Sequence, residues 1–273
     1  MSWDERQLAM LREMGLTAWT PRDAAPAEDA SAEAAAPEPP PAAPPAYADA
    51  EHAPLGVQED GFSYVGEPGP AAPEPGRRPA GIGQMDWPAL RAAVAGCTAC
   101  KLCSSRRNPV FGVGNEQARW MIVGEAPGEQ EDRKGEPFVG PAGKLLDNML
   151  AAIGLTRSEA PPERQVFIAN VLKCRPPQNR NPQPEEIAQC EHYLKRQIEL
   201  AQPRIILAMG RFAVQSLLQS QDAIGRLRGR VHRYRDIPVI VTYHPAYLLR
   251  NLPDKARSWE DLCLALDTFR QQG

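Results

Sequence analysis

The sequence predicts an α/β protein: a three-layer α/β/α domain on a central four-stranded parallel sheet, preceded by a long disordered N-terminal tail. Four short apolar runs have the length and β-branched content of buried strands, at 120–123, 166–171, 205–209 and 238–243. Helical patterns lie among these runs, at 142–154, 184–200 and 211–218. Strands that alternate with helices of this length favour a parallel sheet with helices on both faces.

The tail has a composition that cannot form a hydrophobic core. Residues 1–85 hold 14 of the 29 prolines and few large aliphatic side chains. They carry five arginines against fourteen acidic residues, a net charge of −9, so the total of −3 leaves +6 on residues 86–273. A basic folded part is consistent with a polyanionic partner. We therefore predict a disordered, acidic Pro/Ala-rich linker over 23–85 and a folded domain over 86–273.

The chain carries no signal for a membrane or for export. No apolar run approaches the length of a membrane span, and the N-terminus lacks the basic-then-apolar pattern of a signal peptide. The sequence predicts a cytoplasmic protein without membrane contact.

The first 22 residues differ from the linker that follows them. Leu8, Leu11, Met14 and Leu16 fall near helical spacing, which predicts a short amphipathic helix within 1–22. A frayed helix packed on its own domain is one interpretation, but the long linker favours a helix that docks on another protein. The stretch LREMGLTAWTPR resembles the N-terminal peptide with which the psi subunit of the bacterial clamp loader binds its partner. This resemblance implies a tether to the replication machinery.

Polar side chains follow the predicted strands at the points where those strands end. The first strand breaks at Gly124 into a loop that begins with Glu125, and two later strands end at Asn170 and His244. Because the carboxyl ends of parallel strands meet at one edge, these side chains should converge on one cleft near Phe138. Taken singly, each has an ordinary explanation as a cap, a turn residue or a backbone partner. The glycine-bearing loop adds further candidates for ligand contact: Ala126, Pro127, Gly128 and Glu131.

Four cysteines of the folded part are suited to one metal site: Cys97, Cys100, Cys174 and Cys190. The first two form a C-x-x-C motif, whose sulfurs lie on one turn and can bind one ion or one edge of a cluster. Four thiolates suit zinc or a cubane iron–sulfur cluster, while buried or disulfide-bonded cysteines are the ordinary alternative. Cys103 is a further candidate ligand, and Cys263 falls on the apolar face of the C-terminal helix.

Four motifs carry a resemblance to a known family: GEAPGEQED at 124–132, PFVGPAGKLL at 137–146, NVLKCRPPQNR at 170–180 and HPAYLLR at 244–250. With the cysteine pattern, they resemble the family 4 uracil-DNA glycosylases from residue 97 to about residue 270. The resemblance implies an α/β/α fold and a [4Fe–4S] cluster, and we expect a monomer. Carried over by motif, the cluster ligands are Cys97, Cys100, Cys174 and Cys190, and Cys103 lies outside the matched pattern.

The resemblance also implies a reaction, the hydrolysis of the bond between uracil and deoxyribose after the base is flipped out of DNA. Phe138 would stack on the base, Asn170 would bond O4 and N3–H, and the turn 125–128 with Glu131 would hold the base and a water. Uracil leaves as an anion, so His244 would donate a hydrogen bond to O2. Glu125 would orient the water, and the sequence leaves open which of Glu125 and Glu131 matters more.

Residues after the histidine motif are expected to contact DNA. Leu248 and Leu249 would wedge into the gap left by the flipped nucleotide, and Arg250 would bind phosphate. Packing at a helix start is the ordinary alternative for the two leucines. A run of five arginines between 226 and 235 is a second candidate for phosphate contact.

Two other functions fit parts of the pattern. A relative in the superfamily traps uracil-DNA covalently through a histidine in a KRRIH insertion, which makes it a binding protein without turnover. The present chain has KCRPPQNRNPQP after the second predicted strand and lacks that insertion, which favours an enzyme. A zinc-stabilised nucleic-acid-binding module without activity is the third interpretation.

Overall fold

The computed structural model describes residue 76 and residues 78–272. In this part of the chain one sheet contains six strands: Val113–Gly114 (β1), Trp120–Gly124 (β2), Val166–Asn170 (β3), Ile205–Met209 (β4), Val231–Tyr234 (β5) and Ile237–Thr242 (β6). Their order across the sheet is β1-β3-β2-β4-β6-β5. The predicted docking helix within 1–22 and the predicted linker from 23 to 75 lie outside the described residues.

The four central strands are parallel, which confirms the predicted centre of the sheet. β1 and β5 pair antiparallel with β3 and β6 at the two edges, so the sheet has two more strands than predicted. Neither edge strand contains an apolar run, because β1 has only two residues and β5 alternates exposed and half-buried side chains. An edge strand pairs with a neighbour on one side only. Its sequence therefore lacks the continuous apolar run of a central parallel strand.

The α-helices of the described residues are Trp87–Ala95 (α1), Glu129–Lys134 (α2), Pro141–Ala152 (α3), Pro184–Ala201 (α4), Arg211–Leu218 (α5), Ile224–Leu227 (α6), Pro245–Leu248 (α7) and Asp254–Arg270 (α8). Local signals mark the starts of two of them. Asp86 Oδ1 accepts the N–H of Ala89 at 2.9 Å to cap α1, and Glu186 accepts the N–H of Gln183 at 2.9 Å ahead of α4. No helix among them has both the length and the apolar character of a membrane span.

The sheet separates two hydrophobic cores. Successive residues of β2 point to opposite faces, with Met121 and Val123 in one core and Trp120 and Ile122 in the other. Side chains of α1, α4 and α5 complete the first core, and side chains of α3, α7 and α8 complete the second. The three-layer arrangement is therefore as predicted.

Packing begins a few residues ahead of α1. Ile82, in a 3₁₀ turn over Ile82–Gln84, is 6% exposed, and the carbonyl oxygen of Met85 accepts a hydrogen bond from Arg196 Nε at 2.7 Å. The predicted boundary between linker and domain at residue 86 falls inside this packed segment. A single isoleucine between glycines gives no periodic pattern, so the sequence does not reveal its burial.

Candidate active site

The carboxyl ends of β2, β3 and β6 open into one pocket of about 710 Å³. The register explains why residues distant in sequence meet there: Gly124 pairs with Asn170, and Met209 pairs with Thr242, so the strand tips are level. All the residues predicted from the strand ends and the glycine-bearing loop line this pocket: Glu125, Ala126, Pro127, Gly128, Glu131, Phe138, Asn170 and His244.

Asn170 presents an unsatisfied polar atom to the pocket. Its side chain is 2% exposed, and Oδ1 has no hydrogen-bond partner in the described structure. A buried acceptor without a donor costs roughly 1–3 kcal/mol, so its place in a pocket wall indicates a ligand that supplies the donor. The amide lies against Gly124, where an added Cβ would come within 2.4 Å of Oδ1. The absence of a side chain at Gly124 therefore makes room for the amide of Asn170.

Phe138 is held in a constrained conformation at the pocket wall. Its φ is 55°, a left-handed value that is uncommon for a residue with a Cβ and is typical of functional sites. Its ring stacks on the imidazole of His244, with centroids 5.3 Å apart and an interplanar angle of 25°. A Cβ at Gly143 would lie 1.7 Å from the carbonyl oxygen of Phe138, so the turn requires a glycine there. Backbone and packing together fix the ring.

His244 is a neutral hydrogen-bond donor. It is the N-cap of α7, and its Nδ1 accepts the N–H of Ala246 at 3.2 Å. A neutral imidazole that accepts at Nδ1 carries its hydrogen on Nε2. Burial lowers the pKa of His244 to about 4, with Glu131 opposing and Arg250 reinforcing the shift, so the ring is uncharged at neutral pH.

Glu125 is joined to the start of α5. Its Oε1 accepts the N–H of Phe212 at 3.0 Å, and an added Cβ at Gly210 would come within 2.5 Å of the same oxygen. Burial raises the pKa of Glu125, although the hydrogen bonds from Phe212 and Arg211 and the charge of Arg211 act in the opposite direction. A carboxylate with a raised pKa accepts a proton more readily than an ordinary one.

Glu131 fastens the two loops of the pocket to each other. Its Oε2 accepts the N–H of Gly128 at 3.1 Å, and its Oε1 accepts the N–H groups of Val139 and Gly140 at 2.9 and 3.1 Å. Both carboxylate oxygens thus bind backbone amides. These contacts distinguish the two acids that the sequence left equal: Glu131 shapes the loops, and Glu125 stands where β2 meets the pocket.

The residues after His244 divide between core and surface. Pro245 and Leu248, three positions apart on α7, both face inward, and Leu248 is 0% exposed in the core that α3 completes. The prediction that Leu248 inserts into DNA is corrected accordingly, because that side chain closes the core. Leu249 is 41% exposed, and the exposed Arg250 lines the pocket, so these two remain at the surface where DNA would approach.

The arginines between 226 and 235 do not form one cationic surface. Arg228 is 14% exposed in its side chain and pairs with Glu260 at 2.8 Å and with the buried Asp261 at 3.1 Å. Arg235 pairs with Glu199 at 3.1 Å. The prediction of phosphate contact is therefore wrong for Arg228, whose role is to neutralise a buried carboxylate.

The predicted ligand cysteines line one small cavity, together with Cys103: Cys97, Cys100, Cys174 and Cys190. All five are free thiols. The sulfur of Cys174 accepts a hydrogen bond from Arg106 Nη1 at 2.9 Å, and the sulfur of Cys190 accepts one from the N–H of Lys173 at 3.2 Å. Donors of this kind stabilise thiolates that bind iron–sulfur clusters.

The buried cysteines need a nearby positive charge in order to ionise. Burial raises the pKa of Cys174 to about 11 and that of Cys190 to about 12, so a bound cation is needed to ionise them at neutral pH. No group of three or more ligand-type side chains within the described residues is close enough to hold one ion.

Sequence reasoning missed Lys173, which joins the cysteine cavity to the pocket. Its side chain is 1% exposed, and Nζ donates to the carbonyl oxygen of Asn170 and to Gln197 Oε1, both at 2.7 Å. Burial lowers the pKa of Lys173 to about 8. A signal was present in α4, because Cys190, Tyr193 and Gln197 are spaced to share one helix face.

Comparison with known proteins agrees with this geometry. The sequence model described as the Uracil DNA glycosylase superfamily matches residues 111–263, which include every strand of the sheet. The chain belongs to the uracil DNA glycosylase superfamily. Within the superfamily, it is similar to the type-4 uracil-DNA glycosylase of Archaeoglobus fulgidus, with 48% identity over 164 residues that cover 57% of this chain and 79% of that protein.

Two other members of the superfamily differ in their sequence identity to this chain. The type-4 uracil-DNA glycosylase of Thermotoga maritima is 42% identical over 181 residues, 65% of this chain and 91% of that protein. The type-5 uracil-DNA glycosylase of Pyrobaculum aerophilum is 32% identical over 151 residues, 51% of this chain and 66% of that protein. The higher identity to the type-4 proteins confirms the family resemblance carried by the four sequence motifs.

Proposed function

We propose that this protein is a DNA repair glycosylase that flips uracil out of DNA and hydrolyses its N-glycosidic bond, leaving an abasic site. The observation that carries the proposal is the amide of Asn170, whose buried Oδ1 lacks a donor beside Phe138 and His244. Membership of the superfamily supports the same activity, since the similar proteins of A. fulgidus and T. maritima are named uracil-DNA glycosylases. A stacked base cannot enter such a pocket, so the nucleotide must be extruded first.

Asn170 would read the edge of the extruded ring. Uracil offers N3–H as a donor and O4 as an acceptor, which suit the oxygen and the nitrogen of the amide respectively. Cytosine reverses both groups and would leave the buried amide unpaired. A mismatch of this kind gives roughly 10⁴-fold discrimination, which is what an enzyme needs when cytosine is a normal base throughout DNA. Phe138 would supply the stacking surface for the ring.

His244 would stabilise the departing base. As the bond between C1′ and N1 breaks, negative charge develops on uracil and is shared by O2. A neutral imidazole with its hydrogen on Nε2 can donate to O2 without giving up its proton. One such donor contributes about 10²–10³ in rate.

Glu125 would orient the water that completes hydrolysis. The water oxygen bonds to C1′, and one of its protons must be accepted as the bond to uracil breaks. The raised pKa of Glu125 suits a carboxylate to this step, and its negative form offsets the positive charge that develops on the sugar. The backbone of 126–128, held by Glu131, would support the water and the base.

Two surface residues would contact the DNA around the extruded nucleotide. Leu249 is exposed and apolar, which suits a side chain that fills the vacated space in the base stack. Arg250 lines the pocket and would bind a flanking phosphate. Leu248 takes no part in this contact because it is buried.

The test of the proposed activity uses purified full-length protein and matched oligonucleotides that contain one uracil or one thymine. We expect alkali-sensitive breaks at uracil and none at thymine. Intact uracil strands after incubation with folded protein would contradict the proposal. A denaturing gel run without alkali separates turnover from trapping, since a persistent protein–DNA band would support the alternative of a uracil-DNA binding protein.

We also propose that Cys97, Cys100, Cys174 and Cys190 hold a [4Fe–4S] cluster. The cluster would supply a cross-link between the segment before β1, the loop after β3 and helix α4. The hydrogen bonds from Arg106 and Lys173 to two of the sulfurs support this assignment. Freshly purified protein should absorb near 400 nm and contain about four irons per chain. Zinc without iron would contradict it.

The remaining proposals concern partners. Residues 1–22 would dock the enzyme on a clamp-loader or other replication protein, and the enzyme would act as a monomer on chromosomal DNA in the bacterial cytoplasm. Calorimetry with a peptide of residues 1–22 and isolated clamp-loader subunits tests the docking. Absence of binding heat with every subunit would count against it.

A further inference from the structure

Lys173 connects the cysteine cavity to the pocket at the strand ends through hydrogen bonds. Its Nζ donates to the carbonyl oxygen of Asn170 at 2.7 Å, and its own N–H donates to the sulfur of Cys190 at 3.2 Å. Its carbonyl oxygen accepts the N–H of Val110 at 2.7 Å. Side chain and backbone of one residue therefore bond the end of β3, helix α4 and the segment before β1.

Gln197 holds the ammonium group in place. Its Oε1 accepts from Lys173 Nζ at 2.7 Å, and its Nε2 donates to the carbonyl oxygen of Phe111 at 2.9 Å. Gln197 is 0% exposed, and Lys173 is 1% exposed. The chain of bonds from Phe111 to Asn170 is thus shielded from water, where each bond is stronger and more directional than at a surface.

A buried ammonium without a carboxylate partner is an expensive group to keep. The ion pairs of the described residues do not include Lys173. A methionine of similar length would fill the same space without the desolvation cost. Packing alone does not explain the lysine: its charge lies near the sulfurs of Cys174 and Cys190, and the carbonyl oxygen of Asn170 is its contact closest to the pocket.

The backbone bond bears on the side chain of Asn170 because the amide has little freedom to move. Its Oδ1 lies against Gly124, close enough that one extra carbon there would overlap it. Asn170 is the last residue of β3, and the N–H of the peptide that follows it, on Val171, donates to the carbonyl oxygen of Gly124 at 3.0 Å. Lys173 holds the carbonyl oxygen of the same peptide at 2.7 Å, so this plane is fixed from both sides, and with it the direction from Cα to Cβ of Asn170.

We propose that Lys173, held by Gln197, is a positioning residue that aims the amide of Asn170 at the extruded pyrimidine. The inference rests on the proposed function, because it assigns Lys173 a part in the reading of uracil. It goes beyond that function by placing a determinant of base specificity outside the pocket, on the side of the cysteine cavity. Lys173 touches neither substrate nor reacting atoms.

The test is a double-mutant cycle with Lys173→Met and Asn170→Ala, measured on uracil oligonucleotides with full-length protein. We expect Lys173→Met alone to lower kcat/KM by about 10²-fold, the loss typical of a misplacement of about 1 Å. In the Asn170→Ala background the same change should cost no more than about twofold, because its effect passes through that amide. Full additivity of the two losses would overturn the inference.

A second readout does not depend on catalysis. Affinity is measured for DNA that carries 2′-fluoro-2′-deoxyuridine or 2′-fluoro-2′-deoxycytidine, which resist cleavage. We expect Lys173→Met to reduce the preference for the uracil analogue part of the way toward that of Asn170→Ala. An unchanged preference would overturn the inference. Lys255→Met is the matched control, because it removes another buried lysine outside the pocket and should leave the preference intact.

Gln197→Met protects the test against a folding failure of Lys173→Met. It removes the anchor of the ammonium and keeps the bond donor, so we expect a loss of about 10-fold that also vanishes in the Asn170→Ala background. If both variants unfold below the assay temperature, Lys173 is a structural residue and the inference is wrong. Wild-type protein that leaves uracil in place would instead refute the proposed function, independently of any variant.

Discussion

The pocket and the cysteine cavity both adjoin the loop that follows β3, and they treat buried polar atoms in opposite ways. In the pocket, the oxygen of Asn170 is left without a donor. In the cavity, the sulfurs of Cys174 and Cys190 each receive a hydrogen bond from the protein. The asparagine oxygen keeps bonding capacity for a ligand that comes and goes, and the two sulfurs are bonded in place, although the hydroxyl oxygen of Tyr193 in the same cavity has no partner.

This difference predicts which property each region controls. An unsatisfied atom destabilises the free protein, and its partner arrives only with substrate, so its removal should change rate or specificity while folding stays intact. Thiols bridged by the proposed cluster would hold chain segments together, so their removal should change folding first. Four experiments, ordered from the largest expected effect to the smallest, separate these roles.

Replacement of the Asn170 amide should give the largest effect on the rate of uracil release. We expect Asn170→Ala to lower kcat/KM for uracil release by about 10⁴-fold, because both hydrogen bonds to the ring are lost, while the midpoint of thermal unfolding changes little. Single-turnover cleavage and calorimetry measure the two quantities. Asn115→Ala, which lies after β1 at the amino-terminal end of β3 and outside the pocket, is the control and should retain activity. A large drop in unfolding midpoint for Asn170→Ala would break the comparison.

Loss of a cavity thiol should act mainly on stability. We expect Cys190→Ala to cost about 4–5 kcal/mol, as the loss of a metal site does. At about 2–4 °C per kcal/mol, this lowers the unfolding midpoint by about 8–20 °C. Iron content and absorbance near 400 nm should fall in parallel. Cys103→Ala tests the same cavity outside the family pattern and should keep both, and equal losses in the two variants would reassign the ligands.

Removal of the imidazole should slow chemistry more than binding. We expect His244→Gln to lower kcat by about 10²–10³-fold with a much smaller change in KM, since the charge on O2 develops only as the bond breaks. His232→Gln, on β5 and outside the pocket, serves as the control. Equal losses in kcat and in affinity for a non-cleavable uracil analogue would show instead that His244 binds the ground state.

Acid should weaken the fold through the same histidine. Burial lowers the pKa of His244 to about 4, against an ordinary value of 6.5, so between these pH values the unfolded chain binds a proton that the folded chain does not. The contribution is fully present above pH 6.5 and is lost as the pH falls to 4, by roughly 2–3 kcal/mol. Urea unfolding of wild type and His244→Gln across this range isolates it. Parallel pH curves for the two proteins would refute the assignment.

The centre of the fold could be predicted because its signals are local. Each central strand is a continuous apolar run, and the helix predicted from residue 184 begins at Pro184. The convergence of Asn170 and His244 followed from a general rule about parallel strands. Edge strands β1 and β5 escaped prediction because exposure on one side removes the apolar run from which a strand is recognised.

The misjudged residues share a different cause, which is that their partners lie far away in sequence. Leu248 and Leu249 are adjacent and chemically identical, yet the turn of α7 places the first in the core and leaves the second at the surface. Arg228 resembles its neighbours in sequence, but Asp261 on α8 pairs with it. Lys173 acquires a role only through Gln197 and Asn170. Composition and spacing carry no information about such pairs.

The single carboxylate of Glu131 has a mechanical consequence. It accepts hydrogen bonds from the backbone of Gly128, Val139 and Gly140, so one side chain links two turns. A bound base that displaces the turn 125–128 would also displace the backbone of Val139 and Gly140. The turn 125–128 and the segment after Phe138 therefore move together, so a base that is too large for either one is resisted by both.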